Sequence, residues 1–149
     1  MSAPDSAELI QTLRQWIQKA ESDLTMAAVA LKLGKDCPTD SVCFHAQQCI
    51  EKYFKALLVL HLIDFPKTHD LNALARRMPQ VLLPQLTEEQ CRTITEYATV
   101  LRYPGDYLPI TMIEARKTVA IARRVRADIR KRLPSVVKRS QSTRRKAKK

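Results

Sequence analysis

The chain has 149 residues, only two of them glycine, with 45% apolar residues and a formal net charge of +11. That length fits one domain with a real hydrophobic core, and no run of about 18 apolar residues is present to span a bilayer. Residues Met1 to Asp5 lack the basic and apolar blocks of a signal peptide, so the expected compartment is the cytoplasm.

Helical spacing of the apolar residues predicts an all-α fold. The first helix is expected from Asp5 or Ser6 to Leu33, with Leu9, Leu13, Trp16, Ala20, Leu24, Ala27 and Leu31 recurring at spacings of four and three. Gly34 ends it, and Lys35 to Asp40, which contains Pro38, is a loop. The second helix, about Ser41 to Leu62, is nearly half polar, and its polar residues are sorted. At about 100° per residue, His45, Gln48, Glu51, Lys52 and Lys55 share a third of the circumference. Val42, Cys49, Ile50, Tyr53, Phe54, Leu57, Leu58 and Leu60 occupy the remaining arc. An apolar arc that wide predicts burial against more than one neighbour. The polar set is then expected outside, as a ridge where lysine and glutamine meet phosphate or base edges. Read only as a solvated face, the ridge would hold a Glu51–Lys55 pair that contributes tenths of a kcal/mol.

Asp64 to Lys67 is a turn, and Thr68 is expected to cap a short third helix reaching about Met78. Pro79 and Pro84 mark the next loop. Thr87-Glu88-Glu89-Gln90 is a capping box that opens a fourth helix through Cys91, Ile94 and Ala98 to about Leu101. Arg102 then sits at a helix end, where its charge suits the terminal carbonyls. Tyr103-Pro104-Gly105 breaks the chain there and directs nearby side chains outward. A second capping box, Thr111-Met112-Ile113-Glu114, starts a last helix that runs to Leu133, where Pro134 stops it. These helices predict an antiparallel helical bundle of about five helices. The arginines of the last helix, Arg116, Arg123, Arg124, Arg126 and Arg130, read mainly as a solvated face.

From Pro134 to Lys149 there are seven basic residues and no acid. Without them the body carries +4, an ordinary value. The division is therefore a bundle over 1–133 and a basic, disordered tail over 134–149. The four cysteines, Cys37, Cys43, Cys49 and Cys91, form no CxxC, and with His45, His61 and His69 they make no zinc spacing. They read as reduced, mostly buried residues, with no metal site and no cofactor expected.

Three blocks carry a family resemblance. They are Phe44-His45-Ala46-Gln47-Gln48 with Glu51-Lys52 and Lys55-Ala56-Leu57-Leu58, then Phe65-Pro66-Lys67-Thr68-His69-Asp70-Leu71, then Leu101-Arg102-Tyr103-Pro104-Gly105. In this order they resemble the HEPN domain, the higher eukaryote and prokaryote nucleotide-binding family of helical bundles, over roughly Leu9 to Leu133. The resemblance implies a homodimer, often paired with a small nucleotidyltransferase in a toxin–antitoxin-like system. It also implies, for many members, metal-independent ribonuclease activity from an arginine followed after four to six residues by a histidine. Histidine moves a proton near neutral pH, and arginine holds a phosphate.

Here Arg102 is in place, but no histidine follows it, and Tyr107 stands at the four-residue spacing. Arg102 and Tyr107 are the candidate catalytic pair, with His45 or His69 as substitutes if the fold brings either close. His45, Gln48, Glu51, Lys52, Lys55, Thr68, His69 and Tyr103 are the candidate nucleotide- or RNA-binding residues. The leading expectation is a dimer that binds nucleotide, RNA or a nucleotidyltransferase partner without the complete ribonuclease signature. The alternative is a metal-independent ribonuclease toxin using Arg102 with a non-standard partner. A third reading is an inert bundle that binds nucleic acid through its tail. The first two require the second helix and the break after the fourth to converge on one water-accessible cleft, with Lys52 and Arg102 on the same side of the bundle in the monomer or in the assembled oligomer.

Overall fold

The computed structural model describes residues 6–138. Six α-helices follow in order: α1 (Ser6–Leu31), α2 (Thr39–Leu60), α3 (Leu71–Ala75), α4 (Glu88–Glu96), α5 (Met112–Arg132) and α6 (Ser135–Lys138). No strand occurs among the described residues, so the all-α expectation holds. The helix α2 is the axis of the bundle. It packs mainly against α1, then against α5, with α3 and α4 on a further side. Residues 46–51 and 53–58 are buried without interruption, so this helix is enclosed on all sides.

Helix directions follow from the pairs that tie them. Glu21 of α1 meets Tyr53 of α2, and Trp16 lies beside Lys55, so α1 and α2 run antiparallel. Glu21 also binds Arg126 and Arg130, and Arg14 binds the carbonyl of Val136, which makes α5 antiparallel to α1. The helices α2 and α5 consequently share a direction: Thr39 donates to the carbonyl of Ile110 at their starts, and Cys43 lies against Thr118 further along both. The segment between them, carrying α3 and α4, returns the chain to the end where α2 begins.

Local chemistry sets the boundaries. After α1 the chain turns through Gly34 at φ +60°, a left-handed conformation that glycine adopts without a Cβ penalty. The box at Thr87 is complete, with Thr87 accepting from the Gln90 N–H and Gln90 returning the bond to the Thr87 N–H. The box at Thr111 is half made. Thr111 accepts from the Glu114 N–H, but the Glu114 carboxylate accepts from the Tyr97 hydroxyl instead and ties α5 to the end of α4.

Three expected boundaries are corrected. Asp70, not Thr68, caps α3: its carboxylate accepts from the Asn72 N–H, while Thr68 Oγ1 accepts from the Asp70 N–H and shapes the preceding turn. That helix ends at Ala75 rather than Met78, because Pro79 disfavours helical geometry just before it and the last bonds tighten to i→i+3. Likewise α4 ends at Glu96, and residues 97–102 continue as i→i+3 turns, so Arg102 sits on a tight turn and not at an α-helix end. Beyond Pro134, at the start of the expected tail, α6 packs on α1 and buries Val137. The expected disorder of residues 139–149 lies outside the described residues.

Burial also settles the cysteines. Burial pushes the thiol of Cys43 up to about 11, Cys49 up to about 12 and Cys91 up to about 11. All four are free, and only Cys37 is half-buried. The thiolate is the reactive form and is scarce at pH 8 for a raised pKa, growing only as pH climbs toward those values. A thiol reagent at pH 8 is expected to label Cys37 quickly and the other three only on unfolding. Two or more fast thiols in the native protein would contradict this packing.

Candidate functional site

The polar arc of α2 is not an external ridge. Gln48, Glu51 and Lys55 are buried, Glu51 to 3% exposure, together with Gln47. The correction has a simple physical cause. The 61–70 segment folds over this face, with His69 bonded to Glu51 and Gln47 and Phe65 lying against Lys55, while Gln47, Gln48, Glu51 and Lys55 satisfy one another, which makes burial of polar atoms tolerable. Glu51 Oε1 accepts from His69 Nδ1 at 2.8 Å and from Gln47 and Gln48 Nε2 at 3.3 Å. Its Oε2 accepts from Lys55 Nζ at 2.9 Å. Gln48 also donates to Gln47 Oε1, and Gln47 donates to the carbonyl of His69 at 2.9 Å. Lys55 lies 5.6 Å from the Trp16 ring centre and 5.9 Å from that of Phe65, so two aromatic faces line its charge.

The other edge of the arc turns to α1. Lys52 and His45 both bind Asp23, the first through Oδ2 and the second through Oδ1 at 2.9 Å. Within one chain Lys52 does not meet Arg102, because Asp23 holds Lys52 against α1 and Lys52 does not line the Arg102 cleft.

The second helix and the turn after α4 do converge, through a different residue. The Arg102 guanidinium stacks 3.9 Å from the centre of the Phe44 ring. Together with His69, Ala98, Thr99, Val100 and Tyr103 they line an open cleft of about 630 Å³. That volume suits a small ligand. His69 is exposed there, while its Nδ1 is held by a carboxylate that can only accept. Nδ1 therefore carries the proton, and neutral His69 has Nε2 left as the free, proton-accepting nitrogen. The cleft combines a positioned cation, an oriented imidazole and an exposed tyrosine ring.

Tyr107 lines a second groove, next to the first, with Thr39, Asp40 and the 103–110 loop, and Tyr103 borders both. A Cβ on Gly105 would come within 2.6 Å of the Tyr107 ring, so glycine is required for the ring to lie there. His45 and Thr68 line neither groove. Of the two substitute histidines, His69 is the one beside Arg102. Among the described residues no group of three His, Cys, Asp or Glu side chains could hold a metal ion.

Phe44, Gln47 and Asp23 matter here and were given no role from sequence. Asp23 had a detectable signal: it is an acid flanked by the buried positions Ala20, Leu24 and Ala27.

This helical frame agrees with comparisons to known proteins. The family model described as HEPN domain matches residues 13–132, and the chain belongs to that family. A Methanocaldococcus jannaschii protein named "Putative toxin MJ1304" is 39% identical over 74 residues. The match covers 50% of this chain and 46% of that protein, so the chain spans about half the length of this relative. The crystal structure of TT1696 from Thermus thermophilus superposes with a TM-score of 0.66 at 23% identity, over 81% of this chain and 98% of that one. That likeness concerns the fold alone. The chain is thus a HEPN protein related to a toxin-like protein. No helix among its described residues is long and apolar enough to cross a membrane.

The Glu51 centre yields a stability test. Removing one member of a buried ion pair typically costs about 3–5 kcal/mol because the other charge is left unpaired. Glu51→Ala is expected to destabilise in that range by urea unfolding, and adding Lys55→Met to recover at least half of the loss. Equal losses in the single and double variants would show that Glu51 does not hold Lys55.

Proposed function

We propose that the protein is the HEPN member of a two-component, toxin–antitoxin-like pair in the cytoplasm. In this reading it is a homodimer that binds nucleotide or RNA in the Arg102 cleft and pairs with a small nucleotidyltransferase. The observation that carries the reading is the stacking of Arg102 on Phe44 at the mouth of a ligand-sized cleft beside His69 and Tyr103. A guanidinium held over a ring loses less freedom when it clamps a phosphate. Tyr103, 67% exposed, offers a face on which a base can stack. Exposed Val100, Tyr107 and Leu108 line these grooves, and an apolar rim of this kind favours a covering partner or second copy.

The second reading is metal-independent RNA cleavage, favoured by one observation: His69 is oriented by Glu51 and lines the cleft with Arg102. In that reading the free Nε2 of His69 takes the proton of a ribose 2′-hydroxyl as its oxygen attacks the adjacent phosphorus. The 5′-oxygen leaves and takes a proton from His69 or water, and Arg102 neutralises the phosphorane charge. Tyr107, in the neighbouring groove, is a weaker partner for Arg102 than His69.

One set of samples tests both readings. ATP and a short labelled RNA are titrated without divalent metal into wild type and Arg102→Ala, with the mass in solution read by light scattering. A dimer is expected, with affinity at least about tenfold weaker in Arg102→Ala, as loss of a hydrogen bond to a charged group implies. A monomer that binds neither ligand would overturn the leading reading. Cleaved RNA in wild type, abolished by both Arg102→Ala and His69→Ala, would establish the second; intact RNA at high protein concentration would remove it.

A further inference from the structure

The helix α5 carries three dibasic pairs at one fixed spacing: Arg116-Lys117, Arg123-Arg124 and Arg130-Lys131. Seven residues are close to two turns and advance about 10.5 Å, so the pairs recur along one side of the helix. Two populations of cations result. Those turned inward or sideways are engaged: Arg126 and Arg130 on Glu21, Arg132 on Asp128 and the carbonyl of Leu82. Arg116, Lys117, Arg123, Arg124 and Lys131 are exposed. Among the described residues none of these five has an acidic partner, and only Arg124 makes a long contact, 3.5 Å to the carbonyl of Gln85. The two acids of α5 are committed elsewhere, Glu114 to Tyr97 and Asp128 to Arg132. Between Arg116-Lys117, Arg123-Arg124 and Lys131 stand Ala120 and Ala127, also exposed, so nothing taller than a methyl group interrupts the stripe.

We propose that this stripe is a second binding surface, for the sugar–phosphate backbone of a nucleic-acid strand. A surface of one sign, level and without counter-charges, attracts a polyanion through release of its counterions. An acidic membrane fits less well, because interfacial helices need an apolar face to insert. The apolar face of α5, Ala115, Val119, Ala122, Val125 and Ile129, is buried in the bundle. In the sequence the stripe begins just after the 103–110 loop that lines the second groove, and it leads toward residues 139–149, which hold six further basic residues and no acid. The inference extends the nucleic-acid reading of the Arg102 cleft but concerns a separate set of residues, chosen without regard to base identity.

The test uses the full chain with a labelled uridine RNA and a thymidine DNA about 20 nucleotides long, titrated by fluorescence anisotropy between about 50 and 200 mM salt, the range over which backbone contacts are most visible. Three proteins are compared: wild type, the triple variant Arg116→Gln, Arg123→Gln, Lys131→Gln, and a variant with the six basic residues of 139–149 changed to Gln. For single strands each phosphate contact contributes about 0.7 to the salt slope, so the triple variant is expected to lose about 2 from that slope. Its affinity should fall at least about tenfold, with RNA and DNA within a few-fold of each other in wild type and ATP binding unchanged. Absence of strand binding, an unchanged slope in the triple variant, strict selectivity for RNA, or loss of all binding in the tail variant alone would each overturn the proposal. Since ATP reads the cleft separately, failure of the stripe and failure of the Arg102 cleft are distinguishable.

Discussion

A carboxylate with almost no access to water organises this protein. Glu51 lies in the most enclosed helix, and its two oxygens accept from His69, Gln47, Gln48 and Lys55. A lone carboxylate at that depth would be strongly unfavourable. It is tolerable because four donors meet it, three from its own helix and His69 from the covering segment, and because Lys55 brings a compensating charge lined by Trp16 and Phe65. These contacts close the 61–70 segment over α2 and fix the imidazole of His69. The polar network thus does two jobs, holding a loop and orienting a side chain, and a half-satisfied version of it would do neither.

The chemistry at the surface follows from that interior arrangement. His69 leaves the network at the edge of the cleft, where Phe44, from the same helix as Glu51, supports Arg102. The turn after α4 delivers Arg102 because α4 stops at Glu96 and tightens, so the guanidinium reaches across to Phe44 instead of extending from a helix end. Asp23 keeps His45 and Lys52 occupied against α1. Three sets of cations among the described residues can thereby be told apart: Lys55 neutralised inside, Arg102 exposed singly at the cleft, and those exposed in series along α5.

Much of the fold was legible because it rests on periodicity. The apolar spacing in α1 and the width of the apolar arc in α2 foretold the enclosed central helix, and the complete box at Thr87 stands where its residues predict. What was not legible depends on contacts distant in sequence. The arc from His45 to Lys55 looks identical whether water or a loop covers it, and only the path of residues 61–70 decides. Glu114 left its expected capping role because Tyr97 offers a better-placed donor, a contact no local pattern contains. Arg102 and His69 were both recognisable as candidates, but their proximity is a property of the fold. Phe44 stands in the first resemblance block, but its contact with Arg102 joins residues far apart in sequence, and no local pattern contains it.

The orientation of the His69 ring by Glu51 is the claim on which the cleft chemistry stands. It is tested most directly by a long-range proton–nitrogen NMR correlation of the ¹⁵N-labelled imidazoles above their titration. Neutral His69 should carry its proton on Nδ1, with Nε2 showing the shift of an unprotonated nitrogen. A proton on Nε2, or averaging between the two nitrogens, would contradict the account.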